Sequence, residues 1–172
     1  MAARFKLDSH LGFTLIELLV VISIMTLAGT FALVNLGSFR KDQELQSAVV
    51  DVQNFLRLAQ TNASTNLKCN SVAGVPWDIE FKDSQHVNLI CADQITTLPM
   101  RSTILIDTVT GAINCQFPVK VEFAPVFGTV SFIQNPGDSC INVGTQSLMV
   151  TIKNDSGNKV ITITKGGSIN VQ

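Results

Sequence analysis

Hydrophobic and polar positions divide the chain into three stretches with different periods. From Phe13 to Leu36 the sequence FTLIELLVVISIMTLAGTFALVNL is apolar on every helical face and holds one ionisable side chain, Glu17. As a helix rising 1.5 Å per residue it would be about 36 Å long, enough to cross a bilayer core of about 30 Å. Beyond Gly37 the pattern becomes one-sided. Leu45, Val49, Val52, Leu56, Ala59 and Ala63 recur at spacings of four and three, with Gln43, Glu44, Gln46, Asp51, Gln53, Asn54 and Arg57 between them. Such a stripe needs a partner surface. The two stretches are expected to form one long helix ending near Asn66, of which only the second half can pack on a folded domain.

After Cys69 the period shortens to two. Trp77, Ile79 and Phe81 alternate with polar residues, as do Val119, Val121 and Phe123, then Leu148, Val150 and Ile152. Each run reads as a half-buried strand bounded by Gly, Pro, Asn or Asp. SLMVTIK, NDSGN and KVITITK in succession read as an antiparallel hairpin, and SINVQ after Gly166-Gly167 as a last strand. The expected architecture is α+β, a long N-terminal helix, transmembrane and then amphipathic, packed on a C-terminal antiparallel β-sheet head. Its segments are a polar leader over 1–12, a transmembrane helix over 13–36, an amphipathic stem helix over 37–66 and a β-rich globular head over 67–172.

The 172 residues are 46% hydrophobic and 15% charged, which suits one folded domain plus an unusually apolar segment. A formal net charge of −1 provides no general attraction to nucleic acid. The C-terminal hairpin offers only Lys159 and Lys165, with Asp155 beside them, so the isolated head is expected to be soluble and not to bind DNA at physiological salt. Cys69, Cys91, Cys115 and Cys140 all follow the apolar stretch. An even count in a domain delivered outside the cytoplasm favours disulfides, and no spacing resembles a zinc site. Spacing does not decide the connectivity. Pairing Cys69 with Cys91 and Cys115 with Cys140 would close short loops, each contributing on the order of 3 kcal/mol.

The chemistry-bearing sequence is Gly12-Phe13-Thr14-Leu15-Ile16-Glu17, preceded by a leader containing Arg4 and Lys6. An ordinary secretory signal is cut after its apolar core, which is then discarded. Here the glycine comes before the core. A cut between Gly12 and Phe13 would remove the polar leader alone, and glycine, lacking Cβ, lets an extended backbone enter a narrow protease site. Glu17 would carry a carboxylate into the bilayer at a cost of roughly 2.5–3.5 kcal/mol. Within its own helix the one partner expected for it is the α-amine of Phe13 that cleavage would free; the same amine on a neighbouring subunit is the other.

GFTLIELLVVISI resembles the start of type IV pilins and type II secretion pseudopilins, over roughly residues 6 to 40. The resemblance implies a pilin-like fold. It further implies that a prepilin peptidase cuts after Gly12, that the amine of Phe13 is N-methylated, and that Glu17 guides filament assembly. The implied partners are that peptidase, other pilin or pseudopilin subunits, the inner-membrane assembly machinery and the lipid bilayer. The implied location is the bacterial inner membrane, single-pass, with the head outside the cytoplasm. Where many pilins have a proline in the helix this chain has Val34, with Gly29, Asn35 and Gly37 nearby as loosening residues. AVVDVQNFLRLAQTNAS, VKVEFAPVFGTVSF and the ending ITITKGGSINVQ resemble the GspH/FimT branch of minor pseudopilins, some of which bind DNA through a basic C-terminal segment that this chain lacks.

Other residues carry weaker signals. His10 and His86 have no Ser, Cys or carboxylate at a recognisable catalytic spacing, and no nucleophile, metal set or phosphate loop supports an enzyme or a cofactor. Asp78, Glu80 and Asp83 read as the solvated face of a strand rather than a cation site. Trp77 reads as a core or strand-edge aromatic. The competing class is a secreted or signal-anchored β-rich binding module, cut near Ala28-Gly29 or Ala32 and with no filament role.

Overall fold

A computed structural model of the chain describes residues 13–134, 136–142 and 144–172, apart from the side chains of 31–36. The described residues form one helix and ten strands, in the order α1 (Leu15–Ser64), β1 (Trp77–Phe81), β2 (His86–Cys91), β3 (Gln94–Pro99), β4 (Leu105–Thr110), β5 (Asn114–Cys115), β6 (Val119–Phe123), β7 (Val130–Ile133), β8 (Ser147–Asn154), β9 (Gly157–Thr164) and β10 (Ile169–Val171). This is the helix-then-antiparallel-sheet order of a pilin-like α+β fold. The chain divides into two compact units between Phe39 and Arg40.

The helix is continuous through Gly29 and Gly37 and ends two residues before the expected Asn66. Its end has a specific cause. Asn66 adopts φ of 52°, a left-handed conformation that asparagine tolerates. The Asn66 N–H then donates to Ala63 C=O at 3.0 Å and the Leu67 N–H to Asn62 C=O at 2.9 Å. These paired bonds satisfy carbonyls that the helix terminus leaves free. The Asn66 side chain accepts from Gly74 N–H at 2.7 Å, which fixes the turn into the β region.

In the Arg40–Gln172 unit the strands form two five-stranded antiparallel sheets, ordered β3-β2-β1-β6-β7 and β10-β9-β8-β4-β5. The strand alternation read from the sequence sets which side chains face inward: Ile79 and Phe81 on β1, Val119, Val121 and Phe123 on β6, and Leu148, Val150 and Ile152 on β8 are all fully buried. They share one core with Leu45, Ala48, Val49, Val52, Leu56, Ala59 and Ala63 of the helix, and Trp77 packs against its margin. The terminal hairpin is tighter than the run NDSGN suggests. Asn154 pairs directly with Gly157, leaving a two-residue turn, and the Asn154 side chain accepts from the N–H groups of Ser156 and Gly157.

Cys69 is joined to Cys91 and Cys115 to Cys140, with Cα separations of 6.0 and 5.0 Å. The first bridge ties the segment following the helix to the end of β2. The second ties β5 to the loop before β8.

Leu56 is completely buried, whereas Leu58, on the same helix, is 45% exposed. Leu56→Ala should therefore cost about 2–5 kcal/mol, and Leu58→Ala less than about 0.5 kcal/mol. Urea titration followed by Trp77 fluorescence, the chain having one tryptophan, measures both; equal midpoints for the two variants would contradict the placement of the stripe.

Candidate functional site

The helix N-terminus is organised by Thr14 and Glu17. The Thr14 N–H and hydroxyl both donate to Glu17 Oε2 at 3.1 Å, and the Glu17 N–H reaches back to Thr14 Oγ1 at 3.3 Å. This is a capping box: a Thr and a Glu three residues later satisfy each other's backbone donors at the start of a helix. The expectation that Glu17 has no partner in its own helix besides a freed amine is thereby corrected. The carboxylate is engaged before any second chain approaches, and among the described residues these bonds all fall on Oε2. The signal was present in the sequence as T-L-I-E at the head of an apolar run. Phe13, just before the cap, is 85% exposed. Gly12 and the leader over 1–12 lie outside the described residues.

Every large apolar residue from Phe13 to Leu27 is exposed, and those beyond the cap point to all sides of the helix. The hydroxyls among them are turned inward. Ser23 donates to Leu19 C=O at 2.8 Å, Thr26 to Ser23 C=O at 2.9 Å and Thr30 to Leu27 C=O at 2.7 Å. Back-bonding of this kind leaves a hydroxyl with no demand on its surroundings, as an apolar medium requires. Among the described residues no helix is long and apolar enough to cross a membrane. Leu15–Thr30 alone spans about 24 Å, and the side chains of 31–36, which complete the expected span, are outside the described residues.

Residues 8–33 match the family model of the prokaryotic N-terminal methylation motif. The N-terminus carries a type IV pilin-type motif. No curated protein and no solved structure matches the chain. The methylation motif covers the capped start of the helix and the exposed apolar residues from Phe13 to Leu27, so Phe13 and Glu17 fall inside it together with the expected cleavage position Gly12.

Outside the methylation motif the polar groups of the head form local structure. His86 does have a carboxylate in reach, Asp83, at 2.9 Å from Nδ1, and Asp83 also accepts from Gln85 N–H at 2.7 Å. The Gln85 N–H and then His86 hold the Asp83 carboxyl below its ordinary range. The two side chains, both about half exposed, close the β1–β2 turn. Cys115, Asp138 and Cys140 lie together with metal-ligand spacing, but both sulfurs are committed to the disulfide, leaving one carboxylate. A groove of about 510 Å³ is lined by Asp42, Gln43, Leu45, Gln46 and the Ser156–Lys159 turn, where the Ser156 hydroxyl donates to Asn154 Oδ1 at 2.8 Å.

The outer face of the β3-β2-β1-β6-β7 sheet is less solvated than its alternation suggests. Thr97 donates to Asn88 at 2.8 Å, Asn88 to Glu80 at 2.9 Å, and Lys120 lies 3.6 Å from Glu80. Asp78, opposite Glu122 in the β1–β6 register, keeps a buried Oδ1 with no hydrogen-bond partner among the described residues. Burial first, then Glu122 and Glu80, push its carboxyl up from 3.8 to about 6, against the opposing pull of Lys120. The folded head thus holds a proton that the unfolded chain has released, and stability falls as pH rises from about 4 to about 6. Asp78→Asn should flatten that part of the profile and stabilise the protein at pH 7 by on the order of 1 kcal/mol, allowing for solvent screening of a half-exposed group. Denaturation midpoints of both proteins at pH 4, 5, 6 and 7 measure it; parallel profiles would refute it.

Proposed function

We propose that the chain is a minor pilin or pseudopilin subunit of a type II secretion or type IV pilus filament, of the GspH/FimT kind, processed by prepilin peptidase and assembled by helix packing. The observation that carries this reading is the methylation motif at residues 8–33 on a capped helix whose apolar side chains are exposed on all sides. A surface of that kind needs either a lipid bilayer or neighbouring helices. In this reading the helix over 13–36 spans the inner membrane and stores the subunit there, with the head outside the cytoplasm. Cleavage after Gly12 and methylation leave a cationic amine on Phe13. Glu17 then serves assembly through its second carboxylate oxygen. Oε2 is held by Thr14, while Oε1 accepts from the Phe13 amine of an adjacent subunit, a charge-assisted bond strengthened by the low dielectric. The two disulfides suit a head folded in an oxidising compartment. The proposed role is structural, with no catalysis.

N-terminal sequencing and intact mass of protein extracted from its host membrane test the reading. The expected mature chain begins at N-methylated Phe13, and Gly12→Trp should leave the precursor uncut but still membrane-bound. A mature terminus near Ala28-Gly29 or Ala32 would instead identify a secreted β-rich module and would falsify the filament reading. Glu17→Ala should insert and be cut normally but enter filaments at least about tenfold less, the loss of roughly one charge-assisted bond; wild-type incorporation, read by immunoblot of sheared filaments, would show that the carboxylate is dispensable.

A further inference from the structure

The two sheets have four edges of unequal protection. β10 presents three residues, β5 two and β7 four, whereas β3 presents six, Gln94–Pro99. Within β3 there is no charged residue, and Gln94, Ile95, Thr96 and Thr97 are all exposed, so both faces of the edge are open. Natural edges of this length are normally blunted by Lys, by a bulge or by a covering element, because an unpaired row of N–H and C=O groups is a template for another strand.

The ladder specifies which groups are unpaired. Met100 N–H donates to Gln85 C=O at 2.8 Å, and Lys82 N–H of the β1 side donates to His86 C=O at 3.1 Å, so Gln85 faces β3 and His86 faces β1. Alternation along an antiparallel pair then makes Val87·Leu98, Leu89·Thr96 and Cys91·Gln94 bonded pairs as well. The backbone groups of Ile95 and Thr97 consequently point away from β2. Pro99, next in that outward series, has no N–H, and Asp93 on the other side belongs to the two-residue turn with Ala92 at φ 50°. The outward-facing donors and acceptors are therefore those of Ile95 and Thr97, placed symmetrically about Thr96.

We infer that β3 is a pairing edge for the β3 of a second copy of this chain, in antiparallel register about a two-fold axis at Thr96. In that register Ile95 of each copy exchanges N–H···O=C bonds with Thr97 of the other, giving four bonds that use every outward group between the turn and Pro99. β-branched side chains stand opposite one another, an arrangement that strands favour. No charge meets a like charge. The contact is isologous and closes on itself, so it yields a dimer rather than an open array. It is independent of the helix contacts proposed for a filament.

The two-fold pair at Thr96 is non-hydrogen-bonded between the copies, with a Cα separation of about 4.5 Å expected for such pairs, inside the range a disulfide spans. Full-length Thr96→Cys protein in detergent, oxidised mildly, should therefore give a reductant-sensitive dimer whose mapped crosslink joins the two introduced cysteines. Ile133→Cys on the opposite edge should stay monomeric. Adding Thr97→Pro to Thr96→Cys should lower the dimer about tenfold or more by removing an outward N–H, while Trp77 fluorescence reports whether the head remains folded. If Thr97→Pro unfolds the head, Thr96→Lys, which sets like charges opposite each other, replaces it, and its loss of the dimer is read by sedimentation against wild type. A monomer after oxidation, equal dimerisation through Ile133→Cys, or a crosslink to a native cysteine or another protein overturns the inference.

Discussion

Leu45, Val49, Val52, Leu56, Ala59 and Ala63 leave water together, and all but Leu45, at 4%, are completely enclosed. Neither sheet face nor helix stripe is stable in water alone, and each fully buried Val, Leu or Ile contributes roughly 1.5–3 kcal/mol when it is covered. The head is arranged to keep that stripe covered. Gln60 of the helix donates to Gly167 C=O at 2.8 Å, and Val126 N–H donates to Ala63 C=O at 3.0 Å, so polar bonds rim the apolar contact. Small residues toward the helix end let other chain segments approach; a Cβ placed on Gly128, which has φ of 59°, would lie 3.7 Å from the Ser64 Cβ.

The residues before Arg40 answer to a different requirement. The large apolar side chains from Phe13 to Leu27 are all exposed, and the hydroxyls among them bond inside the helix instead. Thr14 and Glu17 serve each other, and Ser23, Thr26 and Thr30 bond to carbonyls one turn back. One helix thus meets two opposite demands, one-sided burial in the part that joins the core and internal satisfaction of Ser23, Thr26 and Thr30 in the part that does not.

Much of this organisation was legible from periodicity. The stripe spacing identified the buried helix residues, and the alternations at Ile79, Val121 and Val150 identified inward strand positions, because side-chain direction in regular elements follows directly from local geometry. What the sequence did not expose depends on register. The division into two sheets, with β4 beside β8 and β6 beside β1, is set by contacts far apart in the chain. The half-burial of Asp78 follows from its place opposite Glu122, which no local pattern reveals. At the N-terminus the motif residues are readable, and Glu17 stands out there as a charge in lipid. Its T-x-x-E spacing with Thr14 carries a separate meaning, that of a helix cap.

The inward-turned hydroxyls of Ser23, Thr26 and Thr30 have one further effect. Because their protons are already committed, the described helix surface between Glu17 and Thr30 offers no directional side-chain donor to a neighbour. A companion helix can read that surface only through its relief, and sliding or turning against it breaks no bond. For that stretch, angular and axial alignment must come from outside it: from the carboxylate of Glu17 before it, and from the residues that follow Thr30.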